Sequence, residues 1–352
     1  MRRGTKLSLA VLAIVLPLAL LVVGGAFLKR FVLEPREAVN PRVGIFDTEL
    51  SSSFRDIANR LESEGYVRSG EAFRLLARYR GKDKAIKAGE YELSSAMTPQ
   101  EILDKMARGE MLLRRVTIKE GATIVDIAKA LEQAGIVDAG SFRDAAYDRE
   151  ILNELKISAD SLEGYLFPET YQFRRKTSAK QVVRAMHDQL IKRWPDDWTQ
   201  RASLLQLTQH QILTLASIIE KESGNFDEQP VISSVFHNRM RLKMRFQSDP
   251  TVIYGIKDFN GNITRRDLQT LTPYNTYMID GFPPGPIANP GINAIRSALY
   301  PTDTKFLYFV GNGEGRHIFS EDLAQHNNAV NRYQRGGSGG GGGGAFDQDG
   351  AQ

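Results

Sequence analysis

Twenty-two residues without a charge, Leu7 to Leu28, constrain this chain more than any other stretch. A run of that length crosses a hydrocarbon core of about 30 Å as a helix, because a helix satisfies its backbone N–H and C=O groups internally. Pro17 within it is tolerable in such a setting. A cleaved secretion signal is the competing reading, but its apolar part would span about 7–15 residues and end at a small-residue cleavage site. Here the run is longer and passes straight into Lys29 and Arg30, which favours an uncleaved anchor. Charge gives less guidance on orientation, since Arg2, Arg3 and Lys6 face Lys29, Arg30 and Arg36 across the span. The leading tail, residues 1–6, predicts an inside-N arrangement with everything after residue 28 outside the cytoplasm.

The remainder of the 352 residues has an ordinary globular mixture, 25% charged and 41% apolar, with room for two or three domains. A net charge of +4 without an evident basic stripe gives no argument for a nucleic-acid partner. The absence of cysteine excludes disulfides, thiol nucleophiles and thiolate metal sites. His187, His210, His237, His317 and His326 are scattered, and no pair has metal-ligand spacing. Neither a metal nor a cofactor is expected.

An internal repeat organises the first half. Residues 53–67 align without gaps on residues 123–137, sharing Asp56/Asp126, Ile57/Ile127, Ala58/Ala128, Leu61/Leu131, Glu62/Glu132, Gly65/Gly135 and Val67/Val137. Each copy opens with Ser or Thr, places Asp three residues on, and ends in Gly, so each predicts a capped amphipathic helix. Two copies are too few for a solenoid and fit a pair of small strand–helix modules. Lys87 to Leu93 reads as a strand, and Thr98-Pro99-Gln100-Glu101 starts a helix that stops at Gly109. Phe142 to Leu155 reads as one further helix, and a domain boundary is placed near residue 160.

In the second half, Thr208 to Gly224 predicts a helix with a capping box, Thr208 and Gln211, and an apolar face through Ile212, Leu215, Ala216 and Ile219. Glu220 falls at the margin of that face. A carboxyl half-buried against apolar groups has a raised pKa, the condition for a general acid near neutral pH. The bland alternative is that Glu before Lys near a helix end is a solvated surface residue; Glu222 is the reserve candidate. Helices are also expected at residues 178–193 and 227–243, after Asn289-Pro290, and at the end of the chain with Ser320 as cap. Phe306 to Val310 and His317 to Phe319 form an expected hairpin.

Two loop-rich stretches, Arg245 to Tyr254 and Pro273 to Gly291, are dense in groups suited to sugars. Amides and hydroxyls from Gln247, Ser248, Asn275 and Asn289 would meet sugar hydroxyls, and Tyr254, Tyr274 and Tyr277 offer faces for ring C–H surfaces. The same residue types also serve as plain turn formers. Asp249 before Pro250 suits a turn or N-cap role, and it is the available second carboxylate if hydrolysis were the reaction.

Seven motifs in fixed order then resemble the YceG-like, or MltG-type, endolytic murein transglycosylases: LASIIEKES (Leu215 to Ser223), VFHNRM (Val235 to Met240), QSDPTVIYG (Gln247 to Gly255), YNTY (Tyr274 to Tyr277), GFPPGPIANPG (Gly281 to Gly291), YFV (Tyr308 to Val310), and HIF with HN (His317 to Phe319, His326 to Asn327). Phe282 stands where the family more often has Leu. The resemblance implies an α+β protein with an N-terminal transmembrane helix (residues 7–28), a LysM-like α+β region (29–159) and an α+β catalytic domain with a lysozyme-like active-site helix (160–334); the Gly-rich tail (335–352) lies outside it and reads as disordered from its composition. It implies a lyase that cleaves the MurNAc–GlcNAc bond inside nascent glycan strands and leaves 1,6-anhydroMurNAc ends, with Glu220 as the catalytic acid and base and Gln247, Ser248, Asp249, Tyr254, Asn275, Tyr277 and Asn289 around the substrate. The partners implied are peptidoglycan glycan strands, the inner membrane and cell-wall synthases, the catalytic part lying in the periplasm. A hydrolytic muramidase and a non-catalytic scaffold that recruits synthases are the alternatives.

Overall fold

In the computed structural model, residues 2–48, 52–257 and 259–335 are described, so the Gly-rich stretch from 336 lies outside the described residues. The chain divides into two compact units, Met1–Arg114 and Arg115–Gln352.

The first unit begins with α1 (Arg2–Leu28), a helix that starts ahead of the uncharged run and continues through a π-helical turn, Lys29–Leu33. Val15–Leu33 is long and apolar enough to cross a membrane, with a mean hydropathy of 1.9. Then follow β1 (Val43–Thr48), α2 (Phe54–Ser63), α3 (Gly70–Tyr79), β2 (Gly89–Ser94) and α4 (Pro99–Arg108). β1 and β2 pair antiparallel, Val43 opposite Ser94 and Thr48 opposite Gly89. Phe46, Leu61, Phe73, Tyr91, Leu103 and Met106 fill the core of this unit. The capping box at Thr98 and the left-handed Gly109 stand where expected.

The second unit repeats the plan. β3 (Arg114–Thr117), α5 (Ile124–Gln133), α6 (Ala139–Tyr147), α7 (Arg149–Glu154) and β4 (Thr170–Phe173) form a strand–helices–strand module in which β3 pairs with β4. The repeat is structural in detail. Glu62 accepts the Gly70 N–H at 2.7 Å and Glu132 accepts the Ala139 N–H at 3.1 Å, so the same acidic position binds the start of the next helix in both copies. Gly65 and Gly135 both close their helices at positive φ. Asp148, which caps α7, splits the single helix expected over residues 142–155.

The expected boundary near residue 160 falls inside this unit. The second module closes only with β4, past that point, and its Ile127, Leu131 and Phe142 share one hydrophobic core with Ile212, Ile219 and Ile295. The chain continues through α8 (Ala179–Arg193), α9 (Asp196–Leu204), α10 (Gln209–Glu222), α11 (Gln229–Arg241), α12 (Asp249–Gly255), α13 (Arg265–Gln269), α14 (Ile292–Leu299), the antiparallel hairpin β5 (Tyr308–Gly311) and β6 (His317–Ser320), and α15 (Leu323–Val330). Asp322, not Ser320, caps α15. α12 replaces part of a stretch expected to be a loop; Pro250 sits in its first turn, where a missing N–H costs nothing.

Candidate active site

α10 is the axis of the second unit. Every residue from Ile212 to Ile219 is buried, so the helix is enclosed on all sides rather than along one face. Its two interior hydroxyls are satisfied, Thr214 by the His210 carbonyl and Ser217 by the Thr214 carbonyl, while Ser217 also accepts the Ile287 N–H at 3.0 Å. That last bond fixes the Gly- and Pro-rich loop beside the helix, and the His210 ring, between the Tyr165 hydroxyl and the Pro284 carbonyl at 2.8 Å each, fixes it again.

Glu220 is the first residue at which α10 emerges. Its Oε2 accepts the Gly291 N–H at 3.0 Å. Burial raises the pKa of its carboxyl, the Gly291 hydrogen bond opposes that, and the nearby Glu120 carboxylate adds to the rise. Two glycines make this arrangement possible. A Cβ on Gly291 would lie 2.0 Å from Glu120 Oε1, and one on Gly121, whose φ is +72°, would lie 3.4 Å from Glu220 Cγ. Glu120, on the loop between β3 and α5, escaped the sequence reading because nothing local marks it.

A second buried carboxyl, Glu163, was also missed. It is 3% exposed, and all its partners are donors: the Ile124 N–H at 3.1 and 3.2 Å, Asn289 Nδ2 at 2.7 Å and the Tyr254 hydroxyl at 3.3 Å. Burial pushes its pKa up to about 7. Asn289 completes the knot, its Oδ1 accepting the Gly164 and Leu166 N–H groups and its Nδ2 donating also to the Ala122 carbonyl. Asn289, expected among the substrate contacts, is fully buried here, and its polar atoms are engaged by the backbone and by Glu163. Asn275 is engaged in the same way, with Nδ2 shared among the Asp267, Leu268 and Thr270 carbonyls and Oδ1 accepting the Tyr277 N–H. Tyr254, with its hydroxyl on Glu163, belongs to this knot.

The remaining predicted residues gather around Glu222. Ser248 donates to Glu222 Oε1 at 2.5 Å, and its own N–H is held by Thr276. Burial drives the Glu222 pKa up to about 7; the Ser248 hydroxyl opposes the rise and the Asp249 carboxylate adds to it. Asp249 accepts the Tyr277 hydroxyl at 2.7 Å and does not cap α12, which begins from Ser248 without a side-chain cap. Gln247 has a left-handed backbone, φ 50°, and its N–H meets the Thr276 carbonyl. The VFHNRM residues of α11 tie neighbouring segments together: His237 bonds the Ala298 carbonyl, Asn238 the Thr304 and Phe306 carbonyls, and Arg239 the Leu307 and Phe246 carbonyls. Among the described residues no cluster of His, Asp and Glu could hold a metal ion.

In this α+β unit the central helix ends in a carboxyl whose pKa is raised by burial, held beside two glycines and the Glu120 carboxylate. The chain belongs to the YceG-like family, whose model matches residues 46–332. It is 32% identical over 330 residues to a Bacillus subtilis protein named endolytic murein transglycosylase, spanning 89% of this chain and 91% of that one. A Streptococcus pneumoniae protein of the same name is 29% identical across 89% of this chain, which spans 63% of that longer relative. The crystal structure of a YceG-like protein of Listeria monocytogenes superposes with a TM-score of 0.57 at 31% identity, covering 82% of this chain and 99% of that one.

Proposed function

We propose that this protein is a membrane-anchored lytic transglycosylase that cuts peptidoglycan glycan strands internally, with Glu220 as its acid and base. The observation that carries the reading is the Glu220 carboxyl, raised in pKa by burial and held by the Gly291 N–H; relatives named endolytic murein transglycosylase along most of this chain support it. Protonated Glu220 gives its proton to the glycosidic oxygen between MurNAc and GlcNAc as the C1–O bond breaks. The resulting carboxylate takes the proton of the C6 hydroxyl of the same MurNAc, and that oxygen bonds to C1. No water is consumed, so one carboxyl suffices where ordinary glycosidases need two. Oε2 is engaged by Gly291, which assigns the transferable proton to Oε1.

Gln247, Ser248, Asp249 and Tyr277 would line the substrate path, whereas Asn275, Asn289 and Tyr254 act by holding the loops that shape it. The strand–helices–strand modules are read as LysM-like glycan binders, α1 as an inside-N anchor in the cytoplasmic (inner) membrane, and cell-wall synthases as partners whose strands the enzyme would terminate. A hydrolytic reading has one specific support: Glu120 is a second carboxylate beside Glu220, a place that Asp249, paired with Tyr277, does not fill. Cleavage of uncrosslinked strands in ¹⁸O-labelled water separates the two. Unlabelled 1,6-anhydroMurNAc ends are expected; labelled reducing ends would establish a hydrolase.

A further inference from the structure

The end of the first unit that the anchor enters carries a charge cluster for which the proposed reaction has no use. Val32, in the turn that follows α1, is buried in the same core as Phe73 and Leu76 of α3 and Met106 of α4. From there the chain ascends toward the N-terminal ends of those helices. Arg68 donates to the Pro35 carbonyl at 2.9 Å and the Glu37 N–H reaches the Ser95 carbonyl at 2.9 Å, just ahead of the N-caps Ser69 and Thr98. The anchor therefore departs from the opposite end, where α3 and α4 finish. At about 1.5 Å per residue, Val32 stands roughly 6 Å beyond Leu28. A headgroup layer is about 5–7 Å deep on each side of the hydrocarbon. The C-terminal ends of α3 and α4 thus fall at the depth of the headgroups.

The chemistry there matches that depth. Arg74 to Lys87 holds six basic residues and one acid. Arg74 is paired with Glu71 and Lys82 with Asp104. Arg78, Arg80 and Lys84 are exposed and make no ion pair among the described residues. Tyr79, the last residue of α3, is 88% exposed, and Leu75 one turn earlier is 53% exposed. Basic side chains are drawn to anionic lipid surfaces, and Tyr is enriched where a protein meets the headgroups. We propose that the C-terminal end of α3 and the loop Arg80–Lys87 dock on the anionic phospholipid headgroups of the membrane that α1 crosses. The inference rests on the anchor reading. It makes the first unit a foot that stands on the bilayer instead of swinging from the end of the span.

The natural sequence has no cysteine, so single spin labels are clean. The full chain carrying Ala85→Cys, in the charged loop, is compared with Ala96→Cys, at the opposite end of the unit, in nanodiscs of phosphatidylcholine with phosphatidylglycerol. The label at 85 is expected to be shielded from an aqueous nickel chelate and the label at 96 to be open to it. Adding Arg78→Gln, Arg80→Gln and Lys84→Gln, or using phosphatidylcholine alone, is expected to remove most of the shielding at 85 and leave 96 unchanged. A chain that fails to integrate into discs overturns the anchor, and the docking with it. A chain that integrates but exposes both labels equally overturns the docking alone. Shielding that survives the neutralised variant contradicts the electrostatic basis.

Discussion

The Gly291 N–H donates to Glu220 Oε2 at 3.0 Å, tying the C-terminal end of α10 to the N-cap residue of α14. The same glycine leaves room for Glu120, whose Oε1 occupies the space a Cβ would need. One position thus orients the Glu220 carboxyl and admits a carboxylate that adds to the rise in its pKa, of which burial is the main cause.

Removing that charge tests the coupling. The Glu120 carboxylate disfavours ionised Glu220, so Glu120→Gln lowers the Glu220 pKa. The proton-loaded form is then lost at lower pH, and the alkaline limb of the kcat/KM profile moves toward acid. An unmoved limb with retained activity would separate Glu120 from Glu220.

Asn275 is a clamp in this structure, and its truncation should be felt in stability. Asn275→Ala leaves the half-buried Tyr277 N–H and three carbonyls without their side-chain partner. A loss of about 2–3 kcal/mol in denaturant unfolding is expected. A residue that only touched substrate would leave unfolding unchanged and raise KM.

Glu163 gives a pH signature. Its folded pKa of about 7 lies above the ordinary 4.5, so the native state holds a proton that the unfolded chain releases. The stability is fully present below pH 4.5 and is lost as pH rises toward 7, by roughly 3 kcal/mol in all. Glu163→Gln, which cannot titrate, should flatten this slope. Thermal unfolding across pH 4–9 of both proteins reads it, and parallel curves would contradict it.

Features set by neighbours in sequence were legible in advance. Thr98, Thr208 and Ser178 cap helices through bonds to residues three places on, and the Ser53 and Thr123 copies fold alike because both caps and both glycines are local. Glu220 could be singled out because an apolar helix face delivers it. Glu163 could not, since its partners Ile124 and Asn289 meet it only in the fold. Asn275 and Asn289 have the composition of sugar ligands, and only the carbonyls and N–H groups around them turn them into clamps. Nor does anything local show that β4 completes a sheet begun more than fifty residues earlier.

The central claim is that Glu220 alone supplies the acid and the base. The direct test incubates uncrosslinked glycan strands with the full chain in detergent, beside Glu220→Gln matched for unfolding temperature, and resolves the products by mass spectrometry. The account predicts internal fragments with 1,6-anhydroMurNAc ends from the natural protein and a loss of at least about a hundredfold in the variant. Comparable fragments from the variant would contradict it and turn attention to Glu222.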